Sequence, residues 1–176
     1  MIVVKDDILA PKVIDYLSNI TLNGEFPWYF ISNSAHEMDN KINKGDHFSL
    51  SHMLFRDNKN YSLYTDIFKT AVLDLQNKLN IDDYEIFRLR LAMQLNMNKA
   101  VINPPHIDEQ DLEHKSCILY LNESDGDTCF YKKDKIFKKV SPKKNRVVLF
   151  DGDIFHSSSK PVKHQHRIIL NINFIK

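Results

Sequence analysis

The chain has 176 residues, 43% of them hydrophobic and 27% charged, with a formal net charge of +1 at pH 7. That composition suits one ordinary globular domain, and the near-neutral charge argues against a protein that coats nucleic acid or adsorbs to membranes. Two cysteines, Cys117 and Cys129, allow at most one bridge, so a reduced, cytoplasmic protein is the simpler expectation.

Met1-Ile2-Val3-Val4 is apolar, but Lys5-Asp6-Asp7 follow at once, which excludes a signal peptide or a membrane span there. Pro11 suits a first helical turn, and Leu9, Val13 and Leu17 recur at four-residue spacing, which predicts a first helix. A short aromatic strand, Trp28 to Ile31, leads into a polar loop from Ser32 to Asp46, whose length suits a lid as readily as a solvated connection. A longer helix is predicted from Ser62 to Leu79. Ile67, Ala71, Leu75 and Leu79 form its apolar stripe, with Tyr64, Phe68 and Val72 beside them.

From Tyr84 onward the period changes to two. Phe87, Leu89, Leu91, Met93, Leu95 and Met97 fall on one face, against Arg88, Arg90, Gln94 and Asn96 on the other. Further short strands are predicted at 116–122, 128–131, 136–140 and 146–150. In a last one, Ile168, Leu170, Ile172 and Phe174 oppose Arg167, Asn171 and Asn173. Helices first and short strands afterwards predict an α+β protein with a barrel or sandwich, its N-terminal helices packed on one sheet. The whole of 1–176 is expected to be one complete domain, with helical support mainly in 1–83 and the β core mainly in 84–176. The run from Lys132 to Arg146 carries seven lysines and one arginine against Asp134 alone, which suits either a solvated hairpin or an anionic partner. Arg88 and Arg90 have two readings as well, as anion ligands in a cavity or as surface ion pairs.

His106-Ile107-Asp108, His156 and Arg167 carry the chemistry. With 8 His and 17 Asp, a His-x-Asp triplet arises by chance about once, so the pair means little alone. Its surroundings add meaning. Pro104-Pro105 precede it, Tyr120-Leu121-Asn122 and the turn Asp125-Gly126-Asp127-Thr128 follow, and His156-x(3)-Lys160-Pro161 leads to Arg167 and an alternating strand. Over Leu89 to Phe174, about half the chain, this order resembles the 2-oxoglutarate- and Fe(II)-dependent oxygenases, in particular their prolyl 4-hydroxylase-like branch.

The resemblance implies a double-stranded β-helix (jelly-roll) core with Fe(II) held by His106, Asp108 and His156. It further implies that Arg167 and Tyr120 bind the distal carboxylate of 2-oxoglutarate. Asn96 stands where such sequences often carry a Tyr facing that co-substrate. The implied activity is a dioxygenase that consumes O2, converts 2-oxoglutarate to succinate and CO2, and hydroxylates an acceptor, either a protein side chain such as prolyl or a small metabolite. Asn173 replaces the second arginine of the nucleobase-demethylating relatives, which argues against a nucleic-acid substrate. The competing expectation is a non-enzymatic, cupin-like metal- or ligand-binding module. His114, His164 and His166 are spare ligand candidates in charged loop or strand-edge surroundings.

Overall fold

The computed structural model describes residues 1–32 and 47–176. Apart from Ser32, the predicted lid from Ser32 to Asp46 lies outside the described residues.

In chain order the elements are β1 (Ile2–Lys5), α1 (Pro11–Leu22), β2 (Tyr29–Ile31), β3 (Ser49–Arg56), β4 (Lys59–Asn60) and α2 (Thr65–Leu79). They continue with β5 (Glu85–Leu95), β6 (His114–Tyr120), β7 (Thr128–Lys132), β8 (Lys135–Val140), β9 (Val147–Asp151), β10 (His156–Ser158) and β11 (His166–Ile175). A large antiparallel sheet runs β1-β9-β6-β11-β5-β3-β2 with β4 on β3, and a small sheet runs β10-β7-β8. The N-terminal part is therefore not purely helical support: β1 pairs with β9 and β3 with β5, so it completes the large sheet. No helix among the described residues is long and apolar enough to cross a membrane.

Alternation along the strands separates two apolar layers. Leu89, Leu91, Met93, Cys117, Leu119, Ile168, Leu170, Ile172 and Phe174 face the helices and pack with Leu17, Phe68, Val72 and Leu75. Each fully buried Leu or Phe in this layer contributes about 1.5–3 kcal/mol. The opposite face of the same strands points between the two sheets, where Ile118, Tyr120, Phe130, Val148, Phe150 and Ile169 form a smaller cluster. This is the expected parity, with two corrections. A bulge opposite Asn173 and Phe174 shifts the register, so Ile86 continues the helix-side stripe. Phe87 instead lies under the Arg56 guanidinium, 5.5 Å from its ring centroid. In α1, Val13 is exposed and Ile14 takes the buried position, with Leu17, Ser18 and Thr21.

Two hairpin turns are built without glycine. Lys133 and Asp134, between β7 and β8, have φ of 49° and 62°, and Asp57 and Asn58, between β3 and β4, have 48° and 58°. Two consecutive left-handed residues are what a tight type I′ hairpin requires. Part of the basic run is neutralised: Lys143 and Arg146 pair with Asp6, and Lys144 with Asp15. These contacts fasten the N-terminal segment to the turn before β9.

Candidate metal and co-substrate site

His106 belongs to no strand, yet it forms an isolated antiparallel bridge with His156 at the start of β10. Two backbone hydrogen bonds of 2.9 Å join them, and their ring centroids lie 4.7 Å apart. Nδ1 of His106 faces the Pro104 carbonyl at 3.3 Å, and Nδ1 of His156 faces the Ile154 carbonyl at 3.2 Å. A carbonyl only accepts, so each Nδ1 carries the proton and each Nε2 is left with a lone pair. One ligand atom from each of His106, Asp108 and His156 lies within 4.8 Å of the others.

Asp108 is held by four side chains. Its carboxylate accepts from Arg88 at 2.9 Å, Ser116 Oγ at 2.7 Å, Asn173 at 3.0 Å and Asn171 at 3.2 Å. Burial alone would raise its pKa, but the nearby His156 and Arg88 outweigh that and hold it well below the usual carboxylate range. Burial pushes both imidazoles down, His106 to about 4, with His156 adding to the effect there and Asp108 opposing it at His156. The site therefore presents two neutral imidazoles and one anionic carboxylate, the protonation a divalent metal needs.

Arg88 is no surface residue: it is buried and pairs with both Asp108 and Glu109, at 2.9 and 2.8 Å. Together with Ser116, Asn171 and Asn173 it forms a cradle that sequence reasoning passed over. The signal was present as polar residues at inward positions of otherwise apolar strands. Of the spare histidines, His164 pairs with Asp125, and buried His114 faces the Leu112 carbonyl through Nδ1. His166 lies partly buried at the start of β11.

His106, His156 and Arg167 line one cavity of about 250 Å3, together with Gln94, Thr128 and Arg90. The Arg167 guanidinium is 2% exposed and donates to Thr128 Oγ1 at 2.8 Å, while its Nε has no partner. Among the described residues it has no ion-pair partner, so a buried positive charge faces the cavity uncompensated. Gly126 makes this approach possible, because a Cβ there would stand 2.9 Å from Arg167 Cδ and 2.5 Å from the Ser159 carbonyl.

Two of the expected co-substrate contacts are arranged differently. Tyr120 is fully buried behind Arg167, and its hydroxyl meets Thr128 Oγ1 at 2.6 Å rather than the cavity. Thr128 is thus the hydroxyl at the cavity wall. Asn96 lies just beyond the end of β5, outside the cavity lining, and its amide donates to the carbonyls of Val162 and His164. Gln94 and Arg90, earlier on the same strand, face the cavity instead.

Residues 93–175 match the family model described as the 2OG-Fe(II) oxygenase superfamily. That match spans just under half of the chain. The protein is an oxygenase-type enzyme with Fe(II), 2-oxoglutarate and O2 as its cofactors and co-substrates. Two imidazoles and a carboxylate fit Fe(II) with coordination positions to spare, and an unmatched buried guanidinium fits a dicarboxylate.

Solved structures share the double-stranded β-helix fold. An oxidoreductase of the 2OG-Fe(II) oxygenase family from Burkholderia pseudomallei superposes with a TM-score of 0.77 at 11% identity, covering 99% of this chain and 84% of that one. A Pseudomonas putida prolyl-4-hydroxylase gives 0.66 at 15% identity, with coverage of 99% and 92%. A prolyl hydroxylase from Trichoplax adhaerens, in complex with a hypoxia inducible factor peptide fragment, gives 0.67 at 15%, with 99% and 83%. No curated protein matches the sequence significantly.

Proposed function

We propose that His106, Asp108 and His156 hold Fe(II), that Arg167 and Thr128 hold the distal carboxylate of 2-oxoglutarate, and that the enzyme hydroxylates a C–H bond of an acceptor entering the same cavity. The observation that carries this reading is one small cavity lined by His106, His156 and the Arg167 guanidinium, with Asp108 clustered against both histidines and, among the described residues, no carboxylate paired with Arg167. O2 is the oxidant, and bound Fe(II) would activate it at the expense of 2-oxoglutarate: the keto acid would lose CO2 and become succinate, one atom of O2 entering succinate and the other inserting into the acceptor C–H bond.

The chain's own residues position and tune. The backbone bridge between His106 and His156 fixes the two imidazoles, and their carbonyl partners keep Nε2 free. The Arg88–Ser116–Asn171–Asn173 cradle keeps Asp108 ionised and limits its rotation. Tyr120 and Thr128 orient the Arg167 fork.

The acceptor is a peptide side chain or a small molecule. Similarity to a prolyl hydroxylase in complex with a peptide makes a protein side chain the first candidate. Two buried, unbridged cysteines suit the reducing cytoplasm as the place of action.

Arg167 decides the co-substrate assignment. Arg167→Met should leave Fe(II) affinity nearly unchanged and cost 2-oxoglutarate binding on the order of 2–5 kcal/mol, because a charge-assisted fork in a desolvated pocket is lost. Arg167→Lys should recover only part of it. Titration calorimetry with 2-oxoglutarate on the Fe(II)-loaded proteins measures both. Equal affinities in wild type and Arg167→Met would retire the assignment.

A further inference from the structure

Among the described residues, Arg90 is the one strong charge lining the cavity that the proposed chemistry leaves unused. It sits on β5 opposite Asn171, four residues along the strand pair from the Gln94–Arg167 position. At strand rise this places the two arginines about 13 Å apart along the sheet, one toward each end of the cavity. Among the described residues its Nε is buried without a partner, and the lining of the cavity contains Arg90 and Arg167 but no carboxylate. The neighbouring acids are already engaged: Asp108 and Glu109 both pair with Arg88, and Glu109 also with Arg56. Burial, and then the like charge of Arg88, pull the Arg90 pKa down to about 10, which still leaves it cationic at neutral pH.

A charge count over the loaded site gives the unmet demand. A divalent metal, Asp108, the two carboxylates of 2-oxoglutarate and Arg167 together sum to zero, and Arg88 is matched by Glu109. Arg90 remains. With one end of 2-oxoglutarate at Arg167 and the other at the metal, the co-substrate has no carboxylate left for it. Arg90 is half-buried, and Asp108 and Glu109 favour its charge without forming an ion pair with it; an anion from outside that paired directly with the guanidinium would be stabilising there. Ala92, the small residue between Arg90 and Gln94 on the same face, leaves the floor of the cavity open beside it.

Building on the proposed function, we infer that Arg90 is a specificity-determining residue that pairs with a carboxylate carried by the acceptor. The acceptor is accordingly an acid, either a small free carboxylic acid or a peptide presenting an acidic side chain.

The experiment keeps the protein anaerobic with Fe(II) and saturating 2-oxoglutarate, and follows binding by thermal shift. Propionate is compared with propionamide, and a capped pentapeptide with central glutamate is compared with its glutamine counterpart. The acid member of at least one pair should bind about tenfold or more tightly than its amide, and Arg90→Met should bring that ratio to about one. Propionate alone responding assigns a free acid; the peptide pair responding assigns a side chain. The 2-oxoglutarate affinity of Arg90→Met should stay within about twofold of wild type, and its Tm without ligands should equal or exceed wild type. Arg90→Lys should retain part of the acid preference. Acids and amides binding alike in wild type would overturn the inference. So would loss of 2-oxoglutarate binding in Arg90→Met, which would make Arg90 a co-substrate ligand, or a sharp fall in its Tm, which would make it structural. Failure of wild type to bind 2-oxoglutarate at all would instead remove the function on which the inference rests.

Discussion

Asp108 accepts hydrogen bonds from four side chains on three strands, Arg88, Ser116, Asn171 and Asn173. Such partners fix the direction of a carboxylate before a metal arrives, and removing one typically costs 10–100-fold in metal affinity (about 1.4–2.7 kcal/mol). Asn173→Ala should therefore weaken Fe(II) binding by roughly that factor. The fold should survive, since Ser116 still holds the same oxygen. Metal titration with a competing chelator measures it, and unchanged affinity would show that the contact is dispensable. Arg88 behaves differently, because it compensates two buried acids at once. Arg88→Met should lower stability by about 3–5 kcal/mol, the usual result of stranding a buried charge. Denaturant unfolding of the metal-free protein isolates that effect from metal binding.

At the scale of elements, the site depends on how turns bring strands together. The turn at Gly126 lets Arg167 pass close beneath it, and a methyl group there would meet both the Arg167 side chain and the Ser159 carbonyl. Gly126→Ala should thus lower 2-oxoglutarate affinity while leaving Fe(II) affinity near wild type, which calorimetry with each ligand separates. The segment after β1 gives a pH prediction. Asp6 has its pKa lowered to about 2, chiefly by its hydrogen bond to Arg146, with burial opposing and Lys143 assisting. The unfolded chain binds that proton more readily, so this stabilisation is present above about pH 3.8 and is lost as pH falls toward 2. Asp6 is partly exposed, and solvent screening keeps the effect small. Wild type should melt slightly above Asp6→Asn at pH 6, and the two should converge near pH 2. A Tm difference independent of pH would contradict the ion pair.

Across the whole molecule, what the sequence made legible follows from where residue pattern alone decides position. The period-two stripes of β5 and β11 face the helices because the apolar faces of α1 and α2 pack against them. The motif order led to His106, Asp108 and His156 being grouped with Arg167, and the fold brings the three ligand candidates together and sets Arg167 on the cavity that His106 and His156 line. Asn96 and Tyr120 show the limit. Their parity was right, but Asn96 lies past the strand end, and the Tyr120 hydroxyl is intercepted by Thr128, two facts set by turn geometry and packing depth. Arg88 and Arg90 differ by one turn of the pleat in sequence pattern and not at all in chemistry. Only three-dimensional contacts give Arg88 two acids and leave Arg90 without an ion pair among the described residues. The strands β1 and β3 were missed because β1 is four residues long and β3 interleaves polar residues on its inner face.

On the proposed function, His106, Asp108 and His156 hold Fe(II), and 2-oxoglutarate reaches that metal through the cavity lined by the two histidines and Arg167. Visible absorption under anaerobic conditions tests it most directly, because direct chelation of Fe(II) by the keto acid gives a weak metal-to-ligand charge-transfer band. Wild type should show the band when both are added, and His106→Ala, Asp108→Ala and His156→Ala should each abolish it. Absence of the band in wild type at saturating metal and keto acid, or its persistence in all three variants, would contradict the account.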